Sequence, residues 1–133
     1  DDTYNANPLS VRAAIDVLVE QSGQSDSRPV KRILVLGDMA ELGDDAKRLH
    51  AETGKYASTA GVDIIYTSGQ YGKDTVDAFG QTGMYFSTQE GVINQLLSSL
   101  QGNEVILIKG SRSAGMDKVV SALLNQNPER RIH

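Results

Sequence analysis

Short unbroken apolar runs, each closed by a polar or glycine turn and followed by residues at helical spacing, constrain this chain more than any other feature. Ile33-Leu34-Val35-Leu36 stops at Gly37, Val105-Ile106-Leu107-Ile108 runs into Lys109-Gly110, and Val62 to Thr67 is interrupted only by Asp63. A run without polar alternation belongs to a strand covered on both faces, the environment of a parallel sheet between helices. Strands separated by helical segments require crossover connections, and those are right-handed. The expected fold class is therefore α/β: a Rossmann-like three-layer sandwich with a mainly parallel sheet.

The helices read as follows. Asn7 is a good N-cap and Pro8 suits the first turn, where its missing N–H would be unpaired anyway. Val11, Ala14, Ile15 and Leu18 then mark one buried face, with Arg12 and Asp16 as an i, i+4 pair and an end near Gln21. Ser22 to Pro29 reads as an exposed loop. Leu49, Thr53, Tyr56, Ala57 and Ala60 define a second helix stopped by Gly61. A shorter helix is expected from Gln70 to Phe79, then a brief strand at Met84-Tyr85-Phe86. Ser87 and Glu90 have capping-box spacing ahead of Val92, Ile93, Leu96, Leu97 and Leu100. Met116, Val119, Val120, Leu123 and Leu124 line the last helix, and 125–133 is expected as a polar tail. An opening helix in such a pattern follows its own strand, yet only Asp1 to Tyr4 precede this one. The chain is expected to have been cut from a longer protein just inside or after that strand.

Composition narrows the function classes. With 133 residues, 39% hydrophobic and 23% charged, the chain suits one soluble globular domain. A net charge of -4 with scattered basic residues argues against a nucleic-acid footprint. Cysteine is absent, which removes disulfides, thiolate metal sites and a cysteine nucleophile, and suits a reducing cytoplasm. The longest apolar runs, about five residues, fall far short of the roughly 20 that span a bilayer.

Three polar segments stand where strand-to-helix turns gather ligands. The opening segment offers Asp2, Tyr4, Asn5 and Asn7 ahead of a helix N-terminus; its groups could hold sugar hydroxyls or a base edge, or serve only as caps and turns. Asp38 and Glu41 follow the first clear strand and could meet an ammonium group or a metal-bound water, or Asp38 could cap the turn and Glu41 face solvent. Lys109, Ser111, Arg112 and Ser113 precede the last helix, where backbone N–H groups and the dipole favour an anion. Their bland alternative is a glycine turn with Ser113 as N-cap. Neither a Walker A loop nor a Gly-x-Gly-x-x-Gly fingerprint is present: Gly110 and Gly115 are followed by Met116 and Asp117. His50 flanks the second helix's apolar face and is expected to be structural, and His50 and His133 are too isolated for a metal signature.

Taken together, DDTYNANP at 1–8, RILVLGDMAELG at 32–43 and ILIKGSRSAGMDKVV at 106–120 resemble the C-terminal domain of the Mur ligases of bacterial peptidoglycan synthesis. The resemblance extends from Asp1 to about Leu124. The forms Tyr-Asn-Ala-Asn-Pro and Gly-Asp-Met-Ala-Glu-Leu-Gly are those of the branch that adds D-Ala-D-Ala to UDP-N-acetylmuramoyl-tripeptide; the Asp-Asn-Pro-Arg segment of the diaminopimelate- or lysine-adding branch is absent. Other Mur ligases and folylpolyglutamate synthase share the domain type. A stand-alone flavodoxin-like module holding a small anion is the alternative from another class.

The resemblance implies a cytoplasmic, monomeric ligase of three domains using ATP and Mg2+, with the P-loop and the metal in a central domain outside this chain. It implies an acyl phosphate attacked by the dipeptide amine. This chain would close over ATP and present the dipeptide, hold no catalytic residue and be inactive without its own N-terminal and central domains. Asp2, Tyr4, Asn5 and Asn7 would meet the nucleotide. Asp38, Glu41, Lys109, Ser111, Arg112 and Ser113 would receive the dipeptide, with Lys109 or Arg112 pairing with its carboxylate.

Overall fold

The computed structural model describes residues 6–21, 24–25 and 28–133. Helix α1 spans Pro8–Glu20. A short antiparallel ladder follows, β1 (Gln24–Ser25) with β2 (Arg28–Pro29), inside the stretch expected to be loop. The rest alternates: β3 (Lys31–Leu36), α2 (Ala46–Ala60), β4 (Ile64–Thr67), α3 (Gly72–Phe79), β5 (Gly83–Tyr85), α4 (Gln89–Ser99), β6 (Glu104–Lys109), α5 (Asp117–Gln126) and β7 (Arg131–Ile132).

β3 to β7 form one sheet in the order β5-β4-β3-β6-β7, every neighbouring pair parallel. Three layers result. Alternate residues of the central strands divide between two cores, as the pleat requires. Leu34, Leu36, Val105 and Leu107 pack with Val11, Ile15 and Leu18 of α1, Ala57 of α2 and Phe79 of α3. Ile33, Val35, Ile106 and Ile108 pack with Val92 and Leu96 of α4 and Val119 and Leu123 of α5. Both faces being covered explains why these strands carry no polar alternation.

Local sequence accounts for most helix boundaries. The Asn7 side chain accepts the Ser10 N–H at 2.9 Å while the Ser10 hydroxyl accepts the Asn7 N–H at 3.0 Å, a reciprocal cap just ahead of Pro8. α2 ends at Gly61. α4 is capped by Thr88 and not by Ser87: the Thr88 hydroxyl accepts the Gly91 N–H at 3.1 Å. Starting one residue later puts glycine at the position from which a Glu90 side chain was expected to reach back, so the box does not close. The Arg12–Asp16 pair is also redirected: the Tyr56 hydroxyl of α2 donates to Asp16, and the Arg12 guanidinium lies 4.9 Å from the Tyr56 ring centroid. The hydrogen bond to Asp16 raises the Tyr56 phenol above its ordinary pKa.

The segment expected as a polar tail supplies the sheet's edge. Ile106 and Ile132 are register partners, the His133 N–H donates to the Ile106 carbonyl at 2.8 Å, and Ile132 packs against the second core. A strand this short carries one apolar residue, too little to register as a pattern.

Within the layer built on the first core, α2 and α3 approach closely. A Cβ built on Gly54 would lie 2.1 Å from the Thr75 carbonyl oxygen, a backbone atom that cannot swing aside. Gly54→Ala is therefore expected to destabilise the fold by about 1–3 kcal/mol, the scale of overpacking. Chemical denaturation of the variant measures it; an unchanged midpoint would refute the close packing of α2 on α3.

Candidate functional site

Strand order locates the site before any side chain is considered. From β3 the chain steps outward through β4 to β5 on one side, and β6 and β7 lie on the other. The order therefore reverses between β3 and β6, and the crevice beyond the carboxyl ends of strands at such a switch point is where α/β sheets bind ligands. The loops leaving β3 and β6 flank it: residues 37–43 and 110–116.

Asp38 joins these loops to a third. Its backbone carbonyl accepts the Ser111 N–H at 2.9 Å. Its carboxylate accepts the Gln70 N–H at 2.8 Å and the Tyr71 N–H at 3.0 Å, at the start of α3, where an anion also complements the helix dipole. Gly69 allows this approach: it has φ +94°, and a Cβ there would come within 2.6 Å of the Asp38 carboxylate. The turn-capping alternative read from sequence thus describes what the Asp38 side chain does.

His50 fixes the same loop from below. Buried at 1% exposure, it places Nδ1 2.7 Å from the Ala46 carbonyl, which can only accept, so Nδ1 carries the proton. Nε2 then accepts the Met39 N–H at 3.0 Å. The imidazole is neutral in this arrangement, and its ring stacks on Tyr71 at 4.8 Å between centroids with 27° between planes. The expected structural role for His50 holds, with the addition that what it braces is the strand-end loop.

These contacts shape an open pocket of about 370 Å³ lined by Asp38, Glu41, Leu42, Tyr71, Ser111 and Ser113 together with the intervening loop. The two serine hydroxyls lie 3.0 Å apart. Glu41 is exposed and, among the described residues, is the one non-glycine with positive φ, at 61°. A larger depression of about 610 Å³ lies between α2 and α3, but it is lined by surface charges such as Lys47 and Asp74, themselves 3.9 Å apart. The strand-end pocket is the chemically organised one.

The remaining predicted residues fall elsewhere. Lys109 continues the face of Val105 and Leu107, on the α1 and α2 side of the sheet, and is enclosed at 4% exposure. It does not line the pocket. Arg112 is exposed on a single 3-10 turn at 112–114, so α5 begins at Asp117, later than a Ser113 cap would place it. Asn7 is exposed at the N-terminus of α1. The opposite end of that helix meets the start of β3, where Arg32 donates to the Gln21 carbonyl. α1 therefore runs antiparallel to β3, and Asn7 lies toward the same sheet edge as the pocket. Asp2, Tyr4 and Asn5 lie outside the described residues.

Sequence reasoning passed over Tyr71, Met39 and the 68–71 turn. The signal was available: Ser68-Gly69 also follows an apolar strand and precedes a helix. Among the described residues, no three His, Asp or Glu side chains converge as metal ligands, and no helix is long and apolar enough to cross a membrane.

The profile of the family described as "Mur ligase, glutamate ligase domain" matches residues 2–112, from the opening segment to the middle of the third loop. The chain belongs to the Mur ligase family. The UDP-N-acetylmuramoyl-tripeptide--D-alanyl-D-alanine ligase of Escherichia coli K12 is 40% identical over 125 residues, and that of Haemophilus influenzae 36% over 129; each match covers 92% of this chain and 26% of the relative. A crystal structure of MurF from Acinetobacter baumannii superposes with a TM-score of 0.77 at 31% identity, over 94% of this chain and 27% of that one. A MurF ligase from Thermotoga maritima in complex with ADP shares the fold, with a TM-score of 0.73 at 24% identity. This Mur ligase domain spans about a quarter of the length of the relatives it matches.

Asp38 is expected to be the fastener of the site. Asp38→Ala removes the acceptor for two backbone N–H groups and should cost about 1–3 kcal/mol in folding stability. Hydrogen exchange at Gln70 and Tyr71 should accelerate by more than at amides of β6; uniform exchange across both regions would show that Asp38 does not hold the loops together.

Proposed function

We propose that this chain is the C-terminal, closing domain of an ATP-dependent ligase that adds D-Ala-D-Ala to UDP-N-acetylmuramoyl-tripeptide in peptidoglycan synthesis. The observation that carries this reading is the meeting of the 37–43 and 110–116 loops at the switch point, joined by the Asp38 to Ser111 contact and enclosing one small pocket, in a domain 40% identical to such a ligase. In the proposed reaction the tripeptide carboxylate takes the γ-phosphate of ATP. The dipeptide amine then attacks the acyl phosphate and releases phosphate. Mg2+ is assigned to the central domain.

Each residue is assigned a part that its position supports. The pocket receives the dipeptide: Ser111 and Ser113 supply hydroxyls, and Glu41, whose carboxylate is exposed at the lip, suits the ammonium end. Asp38 shapes the pocket by holding backbone N–H groups with both carboxylate oxygens. Of the two cations read from sequence, Arg112 is assigned the dipeptide carboxylate because it is exposed, while Lys109, enclosed, is assigned a role from within the sheet edge. On the nucleotide side Asp2, Tyr4, Asn5 and Asn7 form the proposed wall. The Asn7 side-chain oxygen already accepts from Ser10, so its contribution to a nucleotide would come from its amide N–H2.

A chimera tests the reading directly. The matching quarter of the E. coli ligase is replaced by this chain, and phosphate release is followed with UDP-N-acetylmuramoyl-tripeptide, ATP and D-Ala-D-Ala. Turnover that requires the dipeptide is expected, and none from the chain alone; a chimera that binds ATP yet never uses D-Ala-D-Ala would refute the assignment. In the active chimera Arg112→Ala should raise the KM for D-Ala-D-Ala roughly tenfold or more, as expected for a lost charge-assisted contact.

A further inference from the structure

Beside the polar groups of the pocket stands an aromatic side chain that the sequence motifs do not include. Tyr71 lies on the turn after β4, is half-buried, and lines the pocket together with the serines of the β6 loop. Its position is fixed from two directions. The main chain is held by its N–H bond to Asp38 Oδ1 at 3.0 Å, and one face of the ring is covered by His50, at 4.8 Å and 27°. His50 is itself immobilised by the Met39 N–H and the Ala46 carbonyl. A ring held in this way presents a rigid apolar surface at little conformational cost on binding. Leu42 and Ala46 line the same pocket, so it combines an apolar wall with hydroxyl and carboxylate groups.

We propose that Tyr71 is a specificity-determining residue for the incoming amino component, packing against its small apolar side chain, and that His50 is the positioning residue that sets the ring. The inference rests on the dipeptide being the pocket's ligand, as proposed above. A methyl-bearing amino component fits this combination: its charged and amide groups face Glu41 and the serines, while its side chain meets the ring. The Tyr71 hydroxyl is not required for this contact. The ring is.

The test uses the chimeric ligase and the KM for D-Ala-D-Ala against that for ATP. Tyr71→Ala should raise the dipeptide KM by about tenfold, the scale of a lost apolar contact in a pocket, with the ATP value moving far less. Tyr71→Phe, which retains the ring, should recover most of that loss. His50→Gln, which can still accept the Met39 N–H but cannot stack, should shift the dipeptide KM in the same direction as Tyr71→Ala. Melting curves identify any variant that is not folded, and Tyr71→Leu then replaces Tyr71→Ala. An active chimera whose dipeptide KM is unmoved by folded Tyr71→Ala or Tyr71→Leu would overturn the role of Tyr71 and leave the ligase assignment standing. A chimera that binds ATP but ignores D-Ala-D-Ala would overturn both.

Discussion

The carboxylate of Asp38 has both oxygens engaged by backbone N–H groups of the 68–71 turn, while its carbonyl accepts from Ser111 across the switch point. Three loops that depart from three different strands are thereby held to one residue. Loops at a sheet edge otherwise have few apolar contacts to order them, and ordering each residue costs about 1–2 kcal/mol of conformational entropy. Charge-assisted bonds to backbone donors are among the stronger contacts available to offset that cost. The placement of the pocket therefore depends on this one side chain more than on any residue lining its rim.

The rest of the site is built outward from that junction. His50 accepts the N–H of the residue next to Asp38 and stacks on the residue to which Asp38 bonds, so the same two points are fixed from the helix side as from the strand side. The sheet beneath is rigid because β3 and β6 pair along their full lengths and are covered on both faces. A half-buried aromatic and two hydroxyls can then be held in place without a deep cavity. The result is a surface that is open yet preorganised.

Much of this was legible residue by residue. The apolar runs identified β3, β4 and β6 because burial on both faces leaves no polar positions in them. Asn7-Pro8 marked the start of α1 because capping is local, involving groups three residues apart. Local rules failed where two assignments differ by little energy: Ser87 and Thr88 both carry a hydroxyl, and it is Thr88 that accepts the Gly91 N–H. They failed again for β7, whose two residues become a strand only because the edge of β6 offers unpaired backbone groups. The 37–43 and 109–115 loops were conspicuous through their charges. The 68–71 turn was not, although its Gly69 makes the approach of Asp38 possible.

Sequence alone determined the α/β class, the alternation of strands and helices, and the family, since these follow from hydrophobic period, caps and motifs that are local in the chain. It also named Asp38, Ser111 and Arg112, without distinguishing a residue that shapes the site from one that faces it. Only the tertiary structure decided that Asp38 is occupied by backbone N–H groups, that Lys109 is enclosed while Arg112 is exposed, and that Tyr71 stands in the pocket wall. The physical reason is separation along the chain. Which side chain is buried, and which donor meets which acceptor, depends on residues more than thirty positions apart being brought together by strand order, and no local pattern encodes that order.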